Sequence, residues 1–325
     1  MNQCSACIPG SARRALSAIT ILTALAIMGV SASQAEAATP PAVSTEQALA
    51  VSFASATLEG SVDPRGSDTS YYFQYGLTKG YGGQTLIANA GAGQRSVSVS
   101  AAVTGLQPLT EYHFRVVGVN AAGAEQGADH TFITTKVPLS LGIIASPDPV
   151  LFGGEATIQG TLSGTENAGR PVIAQASVFP FTAGFQTLAL NPELTSSTGS
   201  FLFRVPDLVG ATQFRVVTST NPPIISPVAQ VSVAARVSAH IGRSNRRHHA
   251  RIFGTVSPAI AAEVGILRVS HGRNVLVAGT VLRPDTPTTS SFSRVVPISR
   301  GIYRVLVRVT NGAQISNYSG PLLIR

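Results

Sequence analysis

Gly105-Leu106-Gln107-Pro108-Leu109-Thr110-Glu111-Tyr112-His113-Phe114-Arg115-Val116 is the stretch whose reading decides the fold of this chain. Alternation places Tyr112, Phe114 and Val116 on one face of a β-strand and the polar His113 and Arg115 on the other. Gly105 and Pro108 mark a turn just ahead of it. A tyrosine opening such a strand with its ring inward is expected to bond its hydroxyl back to the upstream backbone. That contact closes one end of a two-sheet sandwich. The stretch therefore predicts architecture and no chemistry.

Working outward, the same pattern recurs. Ala56-Thr-Leu-Glu-Gly-Ser-Val62, Ala156-Thr-Ile-Gln-Gly-Thr-Leu162 and Ala250-Arg-Ile-Phe-Gly-Thr-Val256 each set Ala, Leu or Ile, Gly, and Val or Leu on one face at period two. Phe114-Arg-Val-Val117, Phe214-Arg-Val-Val217 and Tyr303-Arg-Val-Leu306 follow them, with 55, 55 and 50 residues from Gly60 to Arg115, Gly160 to Arg215 and Gly254 to Arg304. One unit length repeated three times predicts an all-β chain of three tandem sandwiches, over 38–136, 137–235 and 236–325. The joins near Lys136 and Arg236 lack the Gly/Ser richness of flexible linkers, which predicts a semi-rigid rod.

Arg13 and Arg14, the apolar run Ala15 to Val30 and the small-x-small triplet Ala35-Glu36-Ala37 form a signal-peptide pattern over 1–37, with cleavage expected before Ala38. The competing reading is an uncleaved anchor, for which the run is short. Both cysteines, Cys4 and Cys7, precede that run, so the 288 residues from Ala38 onward carry no thiol. Disulfide scaffolds, cysteine-based zinc sites and thiol catalysis are thereby excluded from the exported form.

Residues from about 41 to 135 resemble a fibronectin type III domain of the kind found in secreted proteins of high-GC bacteria. The resemblance rests on Ala56 to Val62, Tyr71-Tyr72-Phe73-Gln74-Tyr75-Gly76, Tyr81-Gly82, the opening stretch, Asn120-x-x-Gly123 and Gly127-Ala128-Asp129-x-Thr131-Phe132. It departs from the animal pattern by having no tryptophan. Residues 137–235 and 236–325 are similar to bacterial Ig-like extracellular repeats. The resemblance implies spacer, adhesion or carbohydrate-associated roles, an extracellular or cell-wall location, and no catalytic residues.

No constellation in the chain points to catalysis. His248 and His249 are adjacent and alternate across a strand, unlike a same-face zinc pair. Gly160-Thr161-Leu162-Ser163-Gly164 carries its serine one position late for a nucleophile elbow. No cofactor or metal is expected. Tyr71, Phe73 and Tyr75 share a face directed to the core, which leaves Tyr72 and Gln74 outside and gives a poor platform for sugar stacking.

Charge is the one functional signal. The chain holds 23 Lys and Arg against 15 Asp and Glu, but the excess is not evenly spread. Residues 38–136 and 137–235 are each net −2, whereas 236–325 hold 13 arginines against Glu263 and Asp285, net +11. Drift in base composition would have touched all three units. Arg246, Arg247, His249, Arg251, Arg304 and Arg308 are the residues expected to bind a polyanion, since guanidinium groups offer forks to carboxylate or phosphate oxygens. Acidic cell-wall polymers or glycans are the expected partners, nucleic acid is disfavoured, and no small-molecule substrate is indicated. The leading expectation is a non-enzymatic surface or cell-wall interaction module. The alternative is a carbohydrate-binding accessory protein working beside a separate hydrolase.

Overall fold

The structure, a computed structural model, describes residues 39–325; the signal-peptide reading of 1–37 lies outside them. Among the described residues there is no helix. Every sheet but one small parallel pair is antiparallel, and the strand order is that of tandem fibronectin type III and Ig-like sandwiches.

In the first unit, Ala42–Thr45, Ser55–Asp63 and Val97–Thr104 form one sheet. Thr69–Gly76 and Glu111–Asn120 form the centre of the other, with short strands on both flanks. The strict alternation along Ser55–Asp63 becomes strict alternation of burial, and Leu58 and Val62 meet Phe73, Phe114 and Val116 in a fully enclosed core. The corner residue behaves as its position requires. Gln107 N–H donates to Tyr112 Oη at 2.9 Å, and the ring stacks on Phe132 with centroids 5.7 Å apart. Tyr112→Phe keeps the ring and orphans this part-buried donor. It should cost about 1–3 kcal/mol, read as earlier loss of hydrogen-exchange protection in this unit alone.

The second unit repeats the arrangement with Ser140–Ser146, Gly154–Ser163 and Ser200–Leu208 against Pro171–Val178 and Thr212–Thr218. Its core holds Ile158, Leu162, Val172, Phe214 and Val216. The third sets Arg236–Arg243, His249–Ser257, Ser290–Pro297 and the short Arg283–Pro284 in one sheet. The facing sheet runs Arg273–Val281, Glu263–Ser270, Gly301–Arg308, then Asn317–Tyr318 and Leu322–Ile324. Its core is built from Ile252, Val256, Ile266, Tyr303 and Val305. In all three units the Ala, Leu or Ile, and Val or Leu of the repeat are buried.

The two joins differ. Thr135 and Lys136 are exposed, and Val137 is held by backbone and hydroxyl bonds to Thr165. At the second join Ala234 and Ala235 are buried. Here the loop before Asn317–Tyr318 reaches the second unit: Ala211 N–H donates to Ala313 carbonyl at 2.7 Å and Gln314 Nε2 to Val209 carbonyl at 2.7 Å. Arg236 itself donates to the Phe152 carbonyl. Limited tryptic digestion should therefore cut at Lys136 well before Arg236, because cleavage needs an accessible backbone that can open locally. Equal rates at the two positions would contradict these contacts.

Candidate functional site

The repeat arginine of the Phe-Arg-Val motif has a structural task in two units. Arg115 Nε donates to Gln74 Oε1 at 2.8 Å, and its guanidinium lies 4.6 Å from the Tyr81 ring centroid. Arg215 Nε likewise donates to Gln175 Oε1 at 2.7 Å and sits 4.4 Å from the Phe185 ring. Each is a clamp between cross-strand neighbours, Gln74 with Arg115 and Gln175 with Arg215. In the third unit the residue opposite Arg304 is Leu267, and Arg304 is exposed. The arginine consumed by the clamp elsewhere is left free there.

Ion pairs follow the same division. Lys79, His113, Lys136, Arg170 and Arg204 pair with Asp129, Glu166 or Glu155, all in the first two units. Among the described residues no arginine of 236–325 makes an ion pair. Asp129 is the most elaborated of the carboxylates, with His113 Nδ1 2.9 Å from Oδ2 and Tyr81 Oη donating to Oδ1 at 3.0 Å. Burial works to raise its pKa, but the bonds from His113 and Tyr81, with the nearby charge of Lys79, together hold it below the usual carboxylate range. Burial, then the Asp129 bond, pushes Tyr81 up. A depressed carboxyl contributes stability above its unfolded pKa and loses it as pH falls through the folded value. The first unit should thus weaken in acid below about pH 4, and Asp129→Asn should flatten that dependence in pH-resolved thermal unfolding.

The six expected polyanion-binding residues do not share one surface. Arg246 and Arg247 are exposed in the turn between Arg236–Arg243 and His249–Ser257. His249 is half-buried and folded back, its Nδ1 2.7 Å from the Arg247 carbonyl. Arg251 points outward from the same strand. Arg304 and Arg308 point outward from Gly301–Arg308, in the facing sheet. Outer faces of a two-sheet sandwich look in opposite directions, so the structure separates Arg304 and Arg308 from Arg246, Arg247 and Arg251.

What gathers around Arg251 is a different set. A depression of about 600 Å³ at the Arg283–Pro284 edge of its sheet, reaching Thr280 and Val281 of the facing sheet, is lined by His240, Phe253, Arg283, Ser293 and Arg294 together with Arg251. Arg251 Nε donates to Ser293 Oγ at 2.7 Å, its guanidinium lies 5.1 Å from the Phe253 ring centroid, and His240 flanks the same ring at 5.8 Å. Neither Glu263 nor Asp285 lines it. Arg294 escaped the sequence reading because it falls on the inward positions of Ser290-x-Phe292-x-Arg294-x-Val296, and in the structure it pairs with the core residue Ile252. It is nevertheless exposed, since Arg283–Pro284 covers only Ser290 and Ser291 and leaves the sheet edge open beside it. The legible signal was the outward alternation Arg251-x-Phe253-x-Thr255.

In the first unit Tyr71 and Tyr75 pack half-buried against the core that holds Phe73, Tyr71 meeting its ring edge-on at 6.2 Å, and they line a recess of about 430 Å³ with Ser100 to Thr104. The short flanking strands leave this edge of the sandwich partly uncovered.

No family model matches the chain, nor does any curated protein. Solved structures that resemble it include the FN1–FN3 domains of chicken CNTN1, at 14% identity over 87% of this chain and 95% of that one, with a TM-score of 0.28. A tetra-tandem repeat from the extending region of a large adhesion protein has 14% identity over 87% of this chain and 74% of that one, TM-score 0.30. Bovine butyrophilin has 14% identity over 57% of this chain and 99% of its own, TM-score 0.31. At such values the likeness says nothing about ligand or activity.

Proposed function

We propose that this chain is a non-catalytic, exported β-sandwich protein that acts as a surface or cell-wall interaction module, its third unit binding acidic polymers. One observation carries the reading: among the described residues no arginine of 236–325 has a carboxylate partner, while six of the eight Lys and Arg of the first two units, all but Arg65 and Arg95, are used in ion pairs and clamps. An array of uncompensated guanidinium groups raises local anion concentration and is repaid by contact with a polyanion. The test is retention of the chain 38–325, against the same chain ended at residue 235, on intact bacterial cell wall and on immobilised oligogalacturonate. Retention that requires 236–325 supports the proposal, and equal retention of both forms defeats it.

The second reading, a carbohydrate-binding accessory protein, is favoured by the Tyr71 and Tyr75 recess, where two half-exposed rings meet a wall of small residues. Binding to neutral polysaccharide that persists in high salt and is lost in Tyr75→Ala would support it over the charge-based reading.

A further inference from the structure

We infer that the depression around Arg251 is an acidic-glycan site that recognises a carboxylate- or sulfate-bearing saccharide segment. This deepens the preceding proposal and rests on it. Three arginines, Arg251, Arg283 and Arg294, line a volume of about 600 Å³ from three different strands. That size is in the ~300–1,000 Å³ range of built ligand sites. Arg251 is held in place: Ser293 takes its Nε and the Phe253 ring supports its plane, so the terminal nitrogens remain for an anion. A prefixed fork loses less rotamer freedom on binding than a free surface arginine.

The chemistry favours a sugar over a nucleic acid. A nucleic-acid strand is held by aromatic faces on which bases stack. Phe253, the single aromatic outward on this face, is half-buried with Arg251 and His240 already against it. What remains open is hydroxyl: Thr255, Thr280 and Ser291 also line the depression and can exchange hydrogen bonds with sugar hydroxyls. Arg304 and Arg308, on the opposite sheet, take no part.

The experiment titrates the chain 38–325 with three probes of matched charge: oligogalacturonate, a sulfated dextran oligomer and single-stranded DNA. For at least one of the two acidic saccharides, R251S/R283S/R294S should lose more than tenfold in affinity, while R304S/R308S stays within twofold. Ser293→Ala changes no charge. It should weaken binding several-fold with the salt dependence unaltered, an effect that mere loss of net charge does not produce, and its unchanged circular dichroism spectrum and unfolding temperature would exclude misfolding. Saccharide binding that survives the triple variant but fails in R304S/R308S overturns the site while leaving the general polyanion proposal standing. DNA binding as tight as either saccharide overturns the glycan assignment. No binding to any of the three overturns both readings.

Discussion

Gly254→Ala unfolds the third unit far more readily than the same change at Gly60 unfolds the first. A Cβ at Gly254 would fall inside van der Waals contact of the Ser238 carbonyl oxygen, 2.9 Å from Ala239 Cα and 2.9 Å from Phe292 Cζ. The backbone atoms among these cannot turn aside, because Arg236–Arg243 and His249–Ser257 are locked in antiparallel register with Ala239 opposite Gly254. Phe292 pairs with Gly254 on the other side and lays its ring in the space the missing side chain leaves. Overpacking of a dense interior costs typically about 1–3 kcal/mol, and with backbone as the obstacle at least ~3 kcal/mol is expected. That is a large share of the ~5–15 kcal/mol separating folded from unfolded domains. It corresponds to a fall of roughly 12–24 °C in the unfolding temperature of a unit this size. Gly60 faces Val99 instead of a phenylalanine, and its added Cβ would meet Ser44 O at 2.9 Å and Val116 at 3.3 Å. There a cost nearer ~1–3 kcal/mol is expected. Differential scanning calorimetry of the two single variants distinguishes the units; equal shifts would show that the closer backbone and Phe292 ring at Gly254 do not set the constraint.

Binding to acidic polymers should collapse with salt. Each arginine that neutralises an anion on a densely charged polymer releases condensed counterions, which gives a slope of about −0.7 to −0.9 per contact in a log–log plot against salt. The three arginines of the depression therefore predict roughly a 20- to 40-fold loss of affinity between about 50 and 200 mM salt. Exposed pairs are screened over ~8–10 Å at these ionic strengths, so distant arginines such as Arg304 and Arg308 should add little to the slope. Removing Arg283 alone should lower the slope by about one contact's share. A slope that reflects all 13 arginines of 236–325 would mean diffuse association with the whole unit, and a flat plot would remove electrostatics from the account.

The sequence alone determined the architecture because strand faces are local. Alternation along Ala56 to Val62, and again along its two copies, fixes which side chains are buried whatever the neighbouring strand is. The corner at Tyr112 reaches back only five residues, to Gln107, and so was readable in the same way. Uneven charge was equally plain, since counting needs no coordinates. The unequal joins were less visible: Ala234 pairs with Leu151, Ala235 joins the third unit's core, and its carbonyl accepts from Asn317, 82 residues further along the chain.

Which arginines share a surface was decided by tertiary structure. Arg251 and Arg304 are both outward on their strands, yet they belong to different sheets, and only the strand order reveals that their faces oppose. Arg294 carries the alternation of a core residue and still reaches solvent, because the short Arg283–Pro284 strand leaves the sheet edge open beside it. Arg115, Arg215 and Arg304 occupy one motif position. The cross-strand residue, Gln74, Gln175 or Leu267, decides whether the guanidinium is tied or free. Those partners lie about 40 residues away in sequence and within one hydrogen bond in space, a distance that local pattern cannot span and sheet register fixes.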